Sequence, residues 1–96
     1  MPGNKLSLSD LAVEQIEAIF TFHENLRKGK GSDFLEALWD CLENIQDHPG
    51  KWQYLGTPEE KIRRAILKQP QSIILYSLEG EEIIVYEVYD SRQNWK

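Results

Sequence analysis

Two stretches near the end of the chain, Gln71 to Leu78 (QSIILYSL) and Glu82 to Asp90 (EIIVYEVYD), are rich in Ile, Val and Tyr and are the clearest strands in the sequence. Glu79 to Glu82 (EGEE) joins them as a tight hairpin, with Gly80 supplying the positive φ that such a turn requires. Runs such as Ile73-Ile74-Leu75 lack polar alternation, which calls for strands covered or partly covered on both faces. The rest of the chain must therefore provide cover for this hairpin.

The segment before it reads as helical. Ser9 or Asp10 offers a short oxygen-bearing side chain to the free N–H groups of a first helical turn. From Leu11 to about Lys28, Ala12, Ile16, Ile19, His23 and Leu26 fall on one stripe, widened by Val13 and Phe20, with Glu14, Glu17 and Glu24 outside it. Lys28 to Ser32 (KGKGS) predicts a polar link in which two glycines end the first helix and Ser32 caps the second. The second helix is expected from about Asp33 to Asp47, with Phe34, Leu38, Cys41, Leu42 and Ile45 on its stripe and Leu35 and Trp39 broadening it. His48-Pro49-Gly50 stops it, because proline disfavours helical backbone at the preceding residue. Two amphipathic helices on a short link make an antiparallel helical hairpin.

The remaining segments are shorter. Asn4 to Leu8 (NKLSL) predicts a short first strand, with Leu6 and Leu8 alternating. Lys51 to Gly56 (KWQYLG) reads as a short strand or extended arm, and Thr57 to Glu60 as a turn. Lys61 to Lys68 (KIRRAILK) is assigned to strand, since Pro70 and the strands beyond leave little room for a helix. Helices followed by strands define an α+β class: a single domain, 1–96, with an N-terminal helical hairpin packed on a C-terminal antiparallel β-sheet and an added short strand at residues 4–8.

Composition narrows the function classes. The net charge of −5 argues against general nucleic-acid binding. The charge is uneven, however: residues 51–76 carry five basic side chains (Lys51, Lys61, Arg63, Arg64, Lys68) against two acidic ones, in an otherwise acidic molecule. Such a segment suits a polyanion or an acidic partner peptide. The single cysteine, Cys41, excludes an internal disulfide and falls in a helical apolar pattern, so a buried inert thiol is expected. Neither His23 nor His48 forms a metal-ligand spacing with Cys41, and no metal or small-molecule cofactor is expected. His23 reads as a core or helix-edge residue, and His48 as a helix C-terminal cap. The first twenty residues lack a basic start followed by an apolar run, and no run approaches the ~18 apolar residues of a membrane span, so a cytoplasmic location without a membrane partner is expected.

The ordered combination of "LSDLAVEQIEAIFTF", "LENIQDHPG" and "IRRAILKQPQSIILYSLEGEEIIVYEVYDSRQNWK" resembles the RelE/ParE superfamily of toxins from bacterial type II toxin–antitoxin modules. The closing block Asp90-Ser91-Arg92-Gln93-Asn94 matches a stretch common there, with Trp95 where proline is frequent. The resemblance implies a small toxin neutralised by a cognate antitoxin. Two mechanisms follow from it: RelE-like members cut mRNA on the ribosome with basic residues of the sheet and sometimes a C-terminal tyrosine or histidine, whereas ParE-like members inhibit DNA gyrase.

Cleavage of RNA by its 2′-OH needs a base, positive charge for the phosphorane and an acid for the leaving oxygen. The candidates for those roles are Arg64, Lys68, Tyr89 and Arg92, drawn from a wider set that includes Arg63, Tyr76 and Tyr86. In a strand over 61–68, Arg64 and Lys68 share one face, and Arg63 lies opposite with Ala65 and Leu67. Nuclease members carry an arginine in the next strand where this chain has Ser72-Ile73, and no histidine lies near the C-terminus. With the acidic balance, these departures favour the ParE-like reading. A RelE-like mRNA interferase and a non-toxic interaction module stand as alternatives. Trp52, Arg63, Arg64, Arg92 and Trp95 are the expected partner-binding residues, with the two tryptophans taken as exposed.

Overall fold

A computed structural model describes residues 4–68 and 71–90. Its elements are β1 (Lys5–Leu8), α1 (Asp10–Leu26), α2 (Lys30–Asp47), a 3₁₀ turn at Pro58–Glu60, β2 (Arg63–Lys68), β3 (Gln71–Glu79) and β4 (Glu82–Asp90). The strands form one sheet in the order β1-β4-β3-β2. β2, β3 and β4 are antiparallel, and β1 joins the far edge parallel to β4, so the four-stranded sheet is mixed. Both helices pack on one face, α1 against β4 and α2 against β2.

Each helix buries the centre of its expected stripe, while Val13 and Trp39, expected to widen the stripes, are exposed. Ala12, Ile19 and His23 of α1 are buried, as are Phe34, Leu38, Cys41, Leu42 and Ile45 of α2. They meet Ala65, Leu67, Ile74, Tyr76, Ile83, Val85 and Val88 from the sheet. Leu26, placed on the first stripe, is 59% exposed, because it lies at the last turn of α1, beyond the sheet. Ser9 caps α1 as expected, its Oγ accepting from the Ala12 N–H at 3.0 Å.

The link between the helices is shorter than the sequence suggests. α2 begins at Lys30, so Gly31 and Ser32 lie inside it, and Ser32 is not its cap. Gly29, at φ 90°, is the N-cap residue, and the acceptor comes from across the turn. The Glu24 carboxylate receives the N–H of Gly29 at 3.0 Å and of Gly31 at 2.9 Å. Those two bonds hold the Glu24 pKa below its ordinary value. Gly31 is required by a close approach: a Cβ there would stand 2.8 Å from the ring and from the backbone oxygen of Phe20.

A bulge sets the facing of β4. Leu75 pairs with Glu87 and Tyr76 with Val85, leaving Tyr86 as the extra residue. Val85 and Val88 are therefore both buried although three residues apart, which strict alternation would forbid. β1 covers the β4 edge only from Glu82 to Val85. Past that point α1 takes over: Ser9 Oγ donates to the Tyr86 carbonyl at 2.7 Å, and Gln15 Oε1 accepts from the Val88 N–H at 2.7 Å. Gly80, at φ 63°, opens the two-residue turn between Glu79 and Glu82.

Candidate partner-binding face

β2 is the outer strand on the other side of the sheet, and it carries the basic residues. Arg63, Ala65 and Leu67 face the helices, while Arg64, Ile66 and Lys68 face outward. Arg63 is engaged by its own chain. Its Nη1 donates to the carbonyls of Trp52 at 2.5 Å and Gly50 at 3.5 Å, and its guanidinium carbon lies 3.9 Å from the centre of the Tyr54 ring. Tyr54 forms a single antiparallel bridge with Arg63, so residues 51–56 are an extended arm along β2 and not a full strand. Tyr76 fastens the start of that arm: its hydroxyl donates to the Pro49 carbonyl at 2.6 Å. Burial pushes the Tyr76 phenol up to about 12.

Trp52 is half-buried and packed against the core, where the sequence suggested an exposed anchor. The Arg63 bond to its carbonyl draws it inward, and its indole N–H is buried without a partner among the described residues. Lys51 sets its ammonium 5.3 Å from the centre of that indole and 3.4 Å from Asn44 Oδ1. Beside them runs a groove of about 370 Å³ between α2 and β2, lined by Ala37, Cys41, Trp52 and Leu67 and flanked by Lys51 and Lys68. It continues into a second hollow of about 320 Å³ bounded by Lys51, Trp52, Gln53, Arg64 and Ile66. Cys41 borders the first with its thiol pKa raised by burial, a shift that nearby Lys51 opposes.

Arg64 and Lys68 are exposed on either side of Ile66, and Arg64 bonds to no carboxylate among the described residues. Across the outer face stand Ile73 and Leu75 of β3, both half-buried. Tyr89 pairs with Ile73, so it sits two strands from Ile66, at about 10 Å by ordinary strand spacing. The sheet thus brings Arg64 and Lys68 together with aliphatic neighbours and holds Tyr89 apart from them. Arg92 and Trp95 lie outside the described residues.

His23 and Tyr76, two further groups with acid–base capacity, are bound up in the fold. His23 Nε2 meets Asp90 Oδ2 at 2.8 Å, with both side chains fully buried. The imidazole packs between the rings of Phe22 and Phe34. His48 is the C-cap of α2. Trp39, expected to broaden the buried stripe of α2, is instead 55% exposed at an apolar groove with Val13, Ile16 and Leu35. Its position off the Phe34–Leu38–Cys41–Leu42–Ile45 stripe was the available signal. No group of three His, Cys, Asp or Glu among the described residues is placed to hold a metal, and no described helix is long and apolar enough to cross a membrane.

The fold is thus a helical hairpin on one face of a sheet ordered β1-β4-β3-β2. A solved chain of the chromosomal ParDE TA system from P. aeruginosa shares it, with a TM-score of 0.77 over 91% of this chain and 95% of that one. Identity between the two is 14%, so the likeness is one of fold. No curated protein matches the sequence. The model of the ParE toxin of the type II toxin-antitoxin system, parDE, matches residues 6–95, and the chain belongs to that family. It is a type II toxin–antitoxin toxin.

Proposed function

We propose that this toxin inhibits growth by binding a cellular target, DNA gyrase, without cutting RNA, and that a cognate antitoxin neutralises it. The observation that carries the reading is how the acid–base groups are used. His23 is sealed with Asp90, and Tyr76 is buried on the Pro49 carbonyl. Arg64 and Lys68, exposed and without an ion pair among the described residues, stand beside Ile66, Ile73 and Leu75, a setting suited to protein contact. Membership of the ParE family supports the same target class. Induction of the chain alone should arrest growth, and co-expression of the neighbouring antitoxin should restore it. Unimpeded growth on induction would remove the reading.

A RelE-like mRNA interferase is the second reading, favoured by the pair Arg64 and Lys68 on one sheet face. It requires cuts in mRNA on translating ribosomes that Arg64→Ala abolishes. The same experiment distinguishes both from a non-toxic interaction module, which would neither arrest growth nor cut.

A further inference from the structure

The helical layer carries charge of one sign. α1 contains no lysine or arginine, and α2 has only Lys30, in its first turn. Between the two helices lies an apolar groove of about 120 Å³, lined by Leu8, Val13, Ile16, Leu35 and Trp39 over the buried Leu38. The groove between α2 and β2 is lined by other residues of α2, Ala37 and Cys41, so the two lie on different flanks of that helix. Four exposed acids frame the apolar groove at helical spacing. Asp10 and Glu17 stand three residues before and four after Val13, and Glu36 and Glu43 three before and four after Trp39. None of the four is ion-paired among the described residues. A lone exposed apolar side chain needs no explanation, but a contiguous patch ringed by charge of one sign marks an interaction site.

We propose that this groove takes a lysine- or arginine-rich amphipathic helix of a partner protein. The inference goes beyond the function proposed above and does not rest on it. The walls set the partner's secondary structure. Both helices bond their own backbone groups, so an extended segment laid here would find no partners for its N–H and C=O groups, whereas a helix brings its hydrogen bonds with it. The walls also set its apolar face: residues at i, i+3 or i+4, and i+7 fill the groove against Val13, Leu35 and Trp39. Trp39 offers a large, rigid ring, the residue type most enriched among the anchors of such contacts. The rim sets the charge. Cations flanking the partner's apolar face meet Asp10, Glu17, Glu36 and Glu43, with their aliphatic stems over the Trp39 indole. A second copy of this chain is a poor occupant, because it would bring the four acids against their own equivalents. An anionic lipid surface or a nucleic-acid strand would be repelled by the same four.

The test uses the full-length protein and a synthetic capped peptide of about 14 residues, with leucine at helical i, i+3, i+4 and i+7 spacing and lysine and alanine elsewhere. Calorimetry should show binding that weakens with added salt, and NMR should place the methyl shifts on Val13, Ile16 and Leu35. Trp39→Ala should weaken the peptide about tenfold or more. The ring is exposed, so this variant should melt close to the parent. Joint reversal of Glu17→Lys and Glu36→Lys should weaken binding to a similar degree and flatten its salt dependence; if Trp39→Ala unfolds, this pair carries the test. The proposal is overturned if the peptide does not bind, if a scrambled peptide of the same composition binds equally well, if the shifts fall on β2, or if a folded Trp39→Ala binds as tightly as the parent. A leucine–glutamate helix that binds as well also overturns it. So does self-association, or capture by anionic vesicles, that Trp39→Ala abolishes. These readouts are separate from growth arrest and gyrase inhibition, so failure here is distinct from failure of the function proposed above.

Discussion

Gly31→Ala sets two effects of opposite sign against each other. Alanine inside a helix gains about 1 kcal/mol over glycine from intrinsic propensity, so on α2 alone the substitution stabilises. The packing opposes it. The new Cβ would lie 2.8 Å from Phe20 Cδ1, Cε1 and the Phe20 carbonyl oxygen. That is about 0.7 Å inside ordinary contact distance. The ring can rotate away, but the carbonyl belongs to α1 and moves only if the helices separate. Overpacking of this kind costs about 1–3 kcal/mol, and a backbone contact places it at the upper end. The net expectation is a loss of about 1–2 kcal/mol, a fall in Tm of roughly 5–15 °C for a domain of this size. Gly50→Ala is the control, because nothing lies within 4 Å of its Cβ position. Thermal unfolding followed by circular dichroism measures both. If Gly31→Ala is as stable as the parent or more so, the helices do not cross as closely as described and the reasoning fails.

Three further outcomes can be checked together. Arg63→Lys keeps the charge but loses the planar fork over Trp52, Gly50 and Tyr54, so it should cost about 1 kcal/mol and speed amide exchange at Leu55 and Arg64; unchanged exchange would show that Arg63 does not hold the arm. Tyr76→Phe should cost about 1–2 kcal/mol, and the alkaline difference titration should place the lost phenol at about 12; a value near 10.0 would contradict its burial. For Glu24, whose folded pKa lies below 4.5, stability is fully present above that value and is lost as pH falls through the folded pKa. Melting of Glu24→Gln should therefore trail the parent at neutral pH and converge with it in acid, and a gap that persists in acid would refute the cap.

Much of the fold was legible because it follows from local period. The stripes of α1 and α2, the Ser9 cap and the β3–β4 hairpin at Gly80 each rest on residues close in sequence. What was not legible depends on distant residues. Nothing in Asn4 to Leu8 says that its partner is the last strand, running parallel. The bulge at Tyr86 turns on register with β3, so the inward facing of both Val85 and Val88 could not be read from alternation. Glu24 looked like a solvent-facing acid, and its role as the acceptor for α2 appears only once Gly29 folds the chain back. At the site, the shared face of Arg64 and Lys68 followed from strand geometry. The inward draw on Trp52 did not, because it depends on Arg63 reaching the carbonyls of the arm.

The central claim is that this ParE-family toxin acts on gyrase by binding and not on RNA by cleavage. The most direct measurement is a supercoiling assay in which purified protein is titrated into DNA gyrase and relaxed plasmid, with translating ribosomes run in parallel. The account predicts that supercoiling is lost as the protein is added, is restored by the antitoxin, and that the mRNA on the ribosomes stays intact. Gyrase that supercoils undisturbed while the mRNA is cut in an Arg64-dependent manner would contradict it.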